Sequence, residues 1–180
     1  MLWNLPNTLT ASRIVLIPFF VGCSYLPGRL GQILPALFFA LAAITDWADG
    51  YLARRRGELT TFGKFFDPVA DKLLVLSALI LLVSLDQAPL IVVLIIMARE
   101  ITIMALREFM SGQGGGVPVS WTGKWKTGFQ MAAIIMLMLQ GSLTISLVIP
   151  GLFCLYASAL LTLLSGAQYM MRAWPSIRGQ

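Results

Sequence analysis

Long apolar runs, separated by short polar segments, most constrain how this chain of 180 residues can fold. Hydrophobic side chains make up 58% of it and charged ones 12%, whereas a soluble domain is about half apolar and roughly a quarter charged. A membrane-crossing helix needs roughly 20 apolar residues, and the chain offers six such runs, some of them short. Their approximate bounds are 14–26, 33–53, 68–85, 90–109, 127–139 (extended backwards through Trp121) and 147–171.

The runs predict an all-α membrane protein of six transmembrane helices, with residues 1–180 forming one domain. Residues 1–12 mix Trp and Leu with polar side chains, which indicates a short interfacial segment before the first span. Asp86, Gln87 and Pro89 predict a tight turn, and residues 111–120 a Gly-rich loop.

The basic residues predict the orientation in the membrane. With six spans, nearly all of them fall on one side, and Arg29 is the clear exception in the opposite loops. The positive-inside rule then places both termini, and the loops after spans two and four, in the cytoplasm. The residues on that side are Arg13, Arg54, Arg55, Arg56, Lys64, Arg107, Lys124, Lys126, Arg172 and Arg178.

The chain contains no histidine, so the usual general base and the usual zinc ligand are missing. Its two cysteines, Cys23 and Cys154, lie inside apolar runs and are interpreted as packing residues. Acid–base or metal chemistry therefore has to use carboxylates, Lys, Tyr, Ser or Thr.

Four aspartates are the charges least expected in such a chain. Asp46 and Asp49 fall in the last turns of span two, and Asp67 and Asp71 at the start of span three. Charges at such positions are costly and usually line a polar cavity. Four carboxylates at close range cannot all remain ionised without cations, and an all-oxygen site suits Mg²⁺ or Mn²⁺. Pro68 fits either a first helical turn or a kink.

The spacing of the aspartates adds a second argument. Gly50 and Ala53 share a helical face with Asp46 and Asp49, and Gly63 precedes Asp67 by four residues. Glycines there would let a ligand approach the backbone, and Arg54 is placed to bind a phosphate. The competing interpretation is that the acids form ordinary ion pairs at a helix end, with Arg54–Arg56, Lys64 and Lys72.

Residues 46–71 also match the pattern D-x2-D-G-x2-A-R-x8-G-x3-D-x3-D at every position. On this motif the chain resembles the CDP-alcohol phosphotransferase family. The segments NLPNTLTASRIVLIPFF, FFDPVADKLLV, AREITIMALRE and WTGKWKTGFQM most resemble bacterial members that join CDP-diacylglycerol to sn-glycerol 3-phosphate.

The resemblance implies a membrane-bound transferase of phospholipid biosynthesis that releases CMP and uses two divalent ions, Mg²⁺ or Mn²⁺. Asp46, Asp49 and Asp67 would ligate one ion, and Asp46, Asp67 and Asp71 the other, while Asp71 would also take the proton of the attacking hydroxyl. It further implies a homodimer in the bacterial inner (cytoplasmic) membrane, with the active site facing the cytoplasm. The residues expected to contact CDP-diacylglycerol are Asn7, Thr10, Gly50, Ala53, Arg54, Thr60 and Gly63.

An acceptor that carries a phosphate needs a cationic pocket. Arg107, Lys124 and Lys126 are candidates, together with Arg99, which lies eight residues before Arg107 on roughly the same helical face. The competing interpretation is that these residues form internal ion pairs or anchor the helices by the positive-inside rule.

Three other functions compete with this prediction. The same chemistry could serve another alcohol, such as inositol phosphate or serine. Intramembrane acids can also mark a divalent-cation transporter, although here they cluster at one membrane face. A soluble prenyl-diphosphate enzyme uses paired aspartate motifs too, but the apolar spans argue against it.

Overall fold

The computed structural model describes residues 5–56, 61–112 and 121–178, and their side chains except at 5–12, 46–56, 61–67, 172 and 175–178. Within these ranges the chain forms helices joined by turns, with no strand, and the prediction of six helices is confirmed. The helices are α1 (Leu5–Cys23), α2 (Leu30–Arg56), α3 (Thr61–Ser84), α4 (Leu90–Gly112), α5 (Trp121–Met138) and α6 (Val148–Arg178).

The first helix begins earlier than the apolar pattern indicates. α1 begins at Leu5, so one helix runs through the segment interpreted as interfacial and past the predicted start of the first span near residue 14. Residues 7–17 contain neither Pro nor Gly, so nothing in them interrupts a helix once it has formed. Pro6 lies in the first turn, where its missing N–H has no helical partner to lose.

Other helices also extend past their apolar runs. α3 begins at Thr61, seven residues before the predicted start, and Pro68 therefore lies inside the helix rather than in its first turn. α4 continues to Gly112, and α6 to Arg178. Each residue added to an existing helix gains a backbone hydrogen bond whatever its polarity, so an apolar run marks only the apolar part of a helix.

The connection between α3 and α4 is the predicted tight turn. Asp86 has a φ of 55°, in the left-handed region, and the N–H of Gln87 donates to the carbonyl of Leu82 over 2.8 Å. This geometry satisfies carbonyls at the end of α3 and reverses the chain within a few residues.

The helices pack as a bundle around an apolar core. α5 lies along α6, α6 also contacts α4, and α1 contacts both α2 and α3. Phe20, Phe39, Leu79, Ile134 and Leu155, from five helices, are fully buried there. This core fixes how the polar ends of α3, α4, α5 and α6 lie relative to one another.

By length and hydropathy alone, one helix within the described residues is apolar enough to cross a membrane, over Val148–Met171. Two shorter apolar stretches are Arg13–Cys23 and Leu30–Thr45. α4 has the length but carries two Arg-Glu pairs, at 99–100 and 107–108. The structure explains these charges by the cavity that they line.

Candidate active site

A cavity of about 230 Å³ lies where α3 and α5 begin and α4 and α6 end. Helices that follow each other along the chain therefore run antiparallel, whereas α4 and α6, which contact each other, run in the same direction. The lining residues are Pro68, Lys72, Arg99, Glu100, Ile103, Met104, Arg107, Glu108, Gly123, Lys126, Thr127 and Tyr169.

Two arginines of α4 meet a tyrosine of α6 in this cavity. Arg107 donates from Nη2 to the Tyr169 hydroxyl over 2.7 Å, and its guanidinium carbon lies 4.9 Å from the centre of the tyrosine ring. The guanidinium carbon of Arg99 lies 5.7 Å from the same ring, and its Nη2 donates to Ser165 Oγ over 2.8 Å. One tyrosine thus holds two guanidinium groups close together.

A buried carboxylate lies beside the arginines. Glu100 is 3% exposed and forms ion pairs with Arg99 at 3.1 Å, with Lys72 at 3.2 Å and with Lys126. These cations come from α4, α3 and α5, so Glu100 joins three helices.

Lys72 connects this cluster to the aspartate motif. Its Nζ lies 3.0 Å from Asp71 Oδ2 and 3.2 Å from Glu100 Oε2. The Asp71 side chain is 28% exposed, so solvent and small molecules can reach it. A continuous series of ion pairs therefore runs from Lys126 through Glu100 and Lys72 to Asp71.

The structure brings together three of the four residues predicted to bind the acceptor. Arg99, Arg107 and Lys126 line the cavity. Lys124 does not, because its side chain is exposed and its ammonium lies 5.3 Å from the centre of the Trp121 ring. The two lysines are two residues apart and so point in different directions from α5.

Most residues of the aspartate motif lie on helices whose backbone the structure describes, but their side chains are not among those described. Asp46, Asp49, Gly50, Ala53 and Arg54 belong to α2, Gly63 and Asp67 to α3, and Asn7 and Thr10 to α1. Thr60 lies outside the described residues altogether. Among side chains that the structure describes, no group of three acids, cysteines or histidines is close enough to hold a metal.

The helix positions still allow a test of whether the residues fit a metal. The helical backbone places Asp46 and Asp49 one turn apart on α2, and Asp67 and Asp71 one turn apart on α3. α2 and α3 contact each other. A donor set made of carboxylates alone fits hard divalent cations such as Mg²⁺ and does not fit a metal that prefers thiolate or imidazole.

The sequence interpretation missed the contribution of α6. Ser158, Thr162, Ser165 and Tyr169 are spaced by four, three and four residues, which places them on one helical face, and all four are at most 4% exposed. The sequence contains a signal for this face, namely polar residues at helical spacing within an otherwise apolar run. The sequence pattern does not indicate Tyr169, Ser165 or Glu100, and it indicates Lys72 only as an ion-pair partner of the aspartates.

Comparison with known proteins bears on this arrangement. Residues 3–169 match the family model described as CDP-alcohol phosphatidyltransferase. The chain is 42% identical to the CDP-diacylglycerol–glycerol-3-phosphate 3-phosphatidyltransferase of Haemophilus influenzae, with 98% of this chain and 97% of that protein covered. It is 45% identical to the protein of the same name from Sodalis glossinidius, with 94% of each covered, and 44% identical to that of Salmonella typhimurium, with 96% of each covered.

Proposed function

Because this chain belongs to the CDP-alcohol phosphatidyltransferase family, we propose that it transfers the phosphatidyl group of CDP-diacylglycerol to sn-glycerol 3-phosphate, giving phosphatidylglycerophosphate and CMP. The observation that carries the choice of a phosphate-bearing acceptor is the cationic cavity next to Asp71. The relatives' names support the same substrates. Asp71 is the last carboxylate of the motif, and Lys72 ties it to the cavity wall.

The charge of the cavity favours an acceptor that carries a phosphate. Four cations and two carboxylates line it, a surplus of two positive charges. A phosphate monoester carries a charge of about −1.5 to −2 at pH 7 and matches this surplus. The Nε atoms of Arg99 and Arg107 are buried without a hydrogen-bond partner among the described residues, a cost that an anion in the cavity would reduce. Serine has no such charge, and a divalent cation would be repelled. Inositol phosphate carries the same charge as glycerol 3-phosphate, so only the comparison of acceptors separates these two.

The reaction needs one bond to form and one to break. A hydroxyl oxygen of glycerol 3-phosphate attacks the phosphorus that bears diacylglycerol, and the bond from that phosphorus to the CMP oxygen breaks. Asp71 accepts the hydroxyl proton, since the chain has no histidine and Asp71 reaches the cavity through Lys72. Arg99, Arg107 and Lys126 bind the acceptor phosphate and so orient the hydroxyl towards the donor.

The donor binds on the side of α2 and the start of α3. Asp46, Asp49, Asp67 and Asp71 would hold two divalent ions, Mg²⁺ or Mn²⁺, which when bound neutralise the pyrophosphate and stabilise the CMP that leaves. Gly50, Ala53, Arg54, Thr60 and Gly63, with Asn7 and Thr10 of α1, are proposed to contact CDP-diacylglycerol. The motif that unites these residues and the family membership support this assignment.

The same proposal places the chain in a membrane as one domain of six spans. The helices have 18–31 residues, which corresponds to about 27–46 Å against an apolar bilayer core of about 30 Å. Large apolar side chains cover their outer faces, with Ile149 at 78% and Phe153 at 69% exposed. The positive-inside rule then puts both termini and the cavity on the cytoplasmic side, in bacteria at the inner membrane.

A homodimer is part of the proposal. Gly128 is exposed on α5, and an added Cβ there would meet no atom within 4 Å. Gly128 and Ala132 form a pair of small residues one turn apart, which lets a helix of a second copy approach closely.

A comparison of acceptors tests the function. Purified protein with CDP-diacylglycerol and Mg²⁺ is given glycerol 3-phosphate, inositol phosphate, serine or no acceptor, and CMP release is measured. We expect release with glycerol 3-phosphate well above the other three. Preparations carrying Asp71→Asn should release none, which excludes a contaminating hydrolase. Release with inositol phosphate or serine alone would move the protein to another acceptor.

A further inference from the structure

Glu100 occupies an unusual place among the charges of the cavity. It lies on α4 and is 3% exposed, yet its carboxylate contacts cations from three helices. A carboxylate removed from water needs charged partners, and one negative charge cannot neutralise three positive ones. The cluster therefore keeps a positive surplus in a fixed place.

We propose that Glu100 is a positioning residue for the transfer reaction, which holds Lys126 against the acceptor and Lys72 against Asp71. This inference rests on the proposed function, because it assigns a task within that reaction. Glu100 has two oxygens, and they serve different lysines: Oε1 pairs with Lys126 and Oε2 with Lys72. The carboxylate thus fixes the distance between an acceptor-binding cation and the cation beside the proposed base.

Lys126 depends on Glu100 for its position. It is 4% exposed, and among the described side chains Glu100 is the one carboxylate within ion-pair distance of it. Without that carboxylate, Lys126 would be repelled by Arg99 and Lys72 and would leave the cavity wall for solvent. The acceptor phosphate would then lose a charge-assisted hydrogen bond.

Lys72 transmits the second effect. Its ammonium lies between two carboxylates, 3.0 Å from Asp71 and 3.2 Å from Glu100. Because Glu100 also holds the ammonium of Lys72, this ammonium orients the Asp71 carboxylate but cannot move with it. If Glu100 lost its charge, Lys72 would pair with Asp71 alone and would compete with the acceptor hydroxyl for the same oxygen.

The test compares the kinetic constants of Glu100→Gln and Glu100→Asp with those of the parent protein, in the CMP-release assay with glycerol 3-phosphate. Removing a residue that holds a site residue in place typically lowers affinity or activity about 10–100-fold. We expect Glu100→Gln to raise KM for glycerol 3-phosphate at least about tenfold and to lower kcat, with KM for CDP-diacylglycerol within about twofold. Glu100→Asp keeps the charge and should recover part of both losses.

Asp86→Asn is the matched control, because it removes one negative charge from the turn at the opposite end of α4. It should leave both KM values and kcat unchanged. Suppose that the parent protein and Asp86→Asn both use glycerol 3-phosphate and that Glu100→Gln has the same KM values and kcat as they do. The positioning role is then overturned, whereas the proposed function stands. An equal rise of both KM values in Glu100→Gln also overturns it, since that result indicates a structural role. If the parent protein releases no CMP with glycerol 3-phosphate, the proposed function itself fails.

Should Glu100→Gln not fold, the double variant Glu100→Gln with Lys126→Gln replaces it, because it leaves no unpaired buried cation at position 126. Compared with Lys126→Gln alone, it should show kcat lower by about tenfold, since Lys72 still loses its second partner. Equal kcat values in these two variants would overturn the role of Glu100.

Discussion

Tyr169 draws together two guanidinium groups that Coulomb repulsion would otherwise separate. Arg107 lies 4.9 Å and Arg99 5.7 Å from its ring centre, and its hydroxyl accepts a hydrogen bond from Arg107. Each cation–π contact contributes about 0.5–2 kcal/mol, more when water is excluded. A residue of α6 thus sets the spacing of the two arginines of α4 that are proposed to bind phosphate.

Arg107→Ala should raise KM for glycerol 3-phosphate by about tenfold or more, because a lost charged hydrogen bond costs about 1.5–3 kcal/mol. KM for CDP-diacylglycerol should change little. Lys124→Ala is the matched control: it also removes a cation near the same end of the bundle, but from outside the cavity. Initial rates at varied concentrations of each substrate give the two KM values. Equal KM values for glycerol 3-phosphate in the two variants would show that Arg107 does not bind the acceptor.

The sequence predicts cations of the cavity but not the residues that hold the arginines in place. Arg99 and Arg107 are conspicuous because they are charges in an apolar helix. Their partners Ser165 and Tyr169 lie 66 and 62 residues further along the chain, and no local pattern encodes a pairing at that distance. Only the packing of α6 against α4 brings these side chains together.

At the scale of the helices, the apolar pattern predicts their number and order but not their ends. α1 and α3 begin nine and seven residues before the predicted starts at 14 and 68, in stretches where polar residues interrupt the apolar run. Lys124, which was predicted to bind the acceptor, shows the related limit within a helix. The spacing of two residues means that Lys124 and Lys126 point in different directions. Which of them faces the cavity depends on how α5 is rotated against the other helices.

Gly151 is a position at which α6 packs tightly against α5. A Cβ added there would lie 2.8 Å from Leu137 Cδ2, and Leu137 is fully buried. Gly151→Ala should destabilise the protein by about 1–3 kcal/mol, as overpacking a core does. Gly22→Ala adds the same methyl group to α1 with no atom within 4 Å, so it should leave stability unchanged or slightly higher. Unfolding midpoints in detergent measure both, and equal midpoints would contradict this packing.

Across the whole molecule, the apolar core and the polar cavity occupy different parts of the same six helices. Fully buried side chains such as Leu79 and Ile134 form the core, whereas the cavity lies where α3 and α5 begin. The aspartate motif and the cationic cavity meet at Asp71 and Lys72. The proposed donor and acceptor sites are thus of opposite charge and adjoin at one end of the bundle.

Removal of divalent ions tests the donor side of this arrangement. EDTA in excess should stop CMP release, because four aspartates would then face the pyrophosphate without cations between them. Excess Mg²⁺ or Mn²⁺ added afterwards should restore the rate. Full activity in metal-free buffer would contradict the two-ion site while leaving the acceptor pocket untouched.

The contacts between α4 and α6 have a consequence for the order of synthesis. Arg99 leaves the ribosome 66 residues before Ser165, its hydrogen-bond partner. At about 5–20 residues per second, α4 waits about 3–13 s for α6 to be made. During that interval its arginines have neither Ser165 nor Tyr169 as partners. α6 completes the cavity, and until α6 has been made the nascent protein holds an unfinished one.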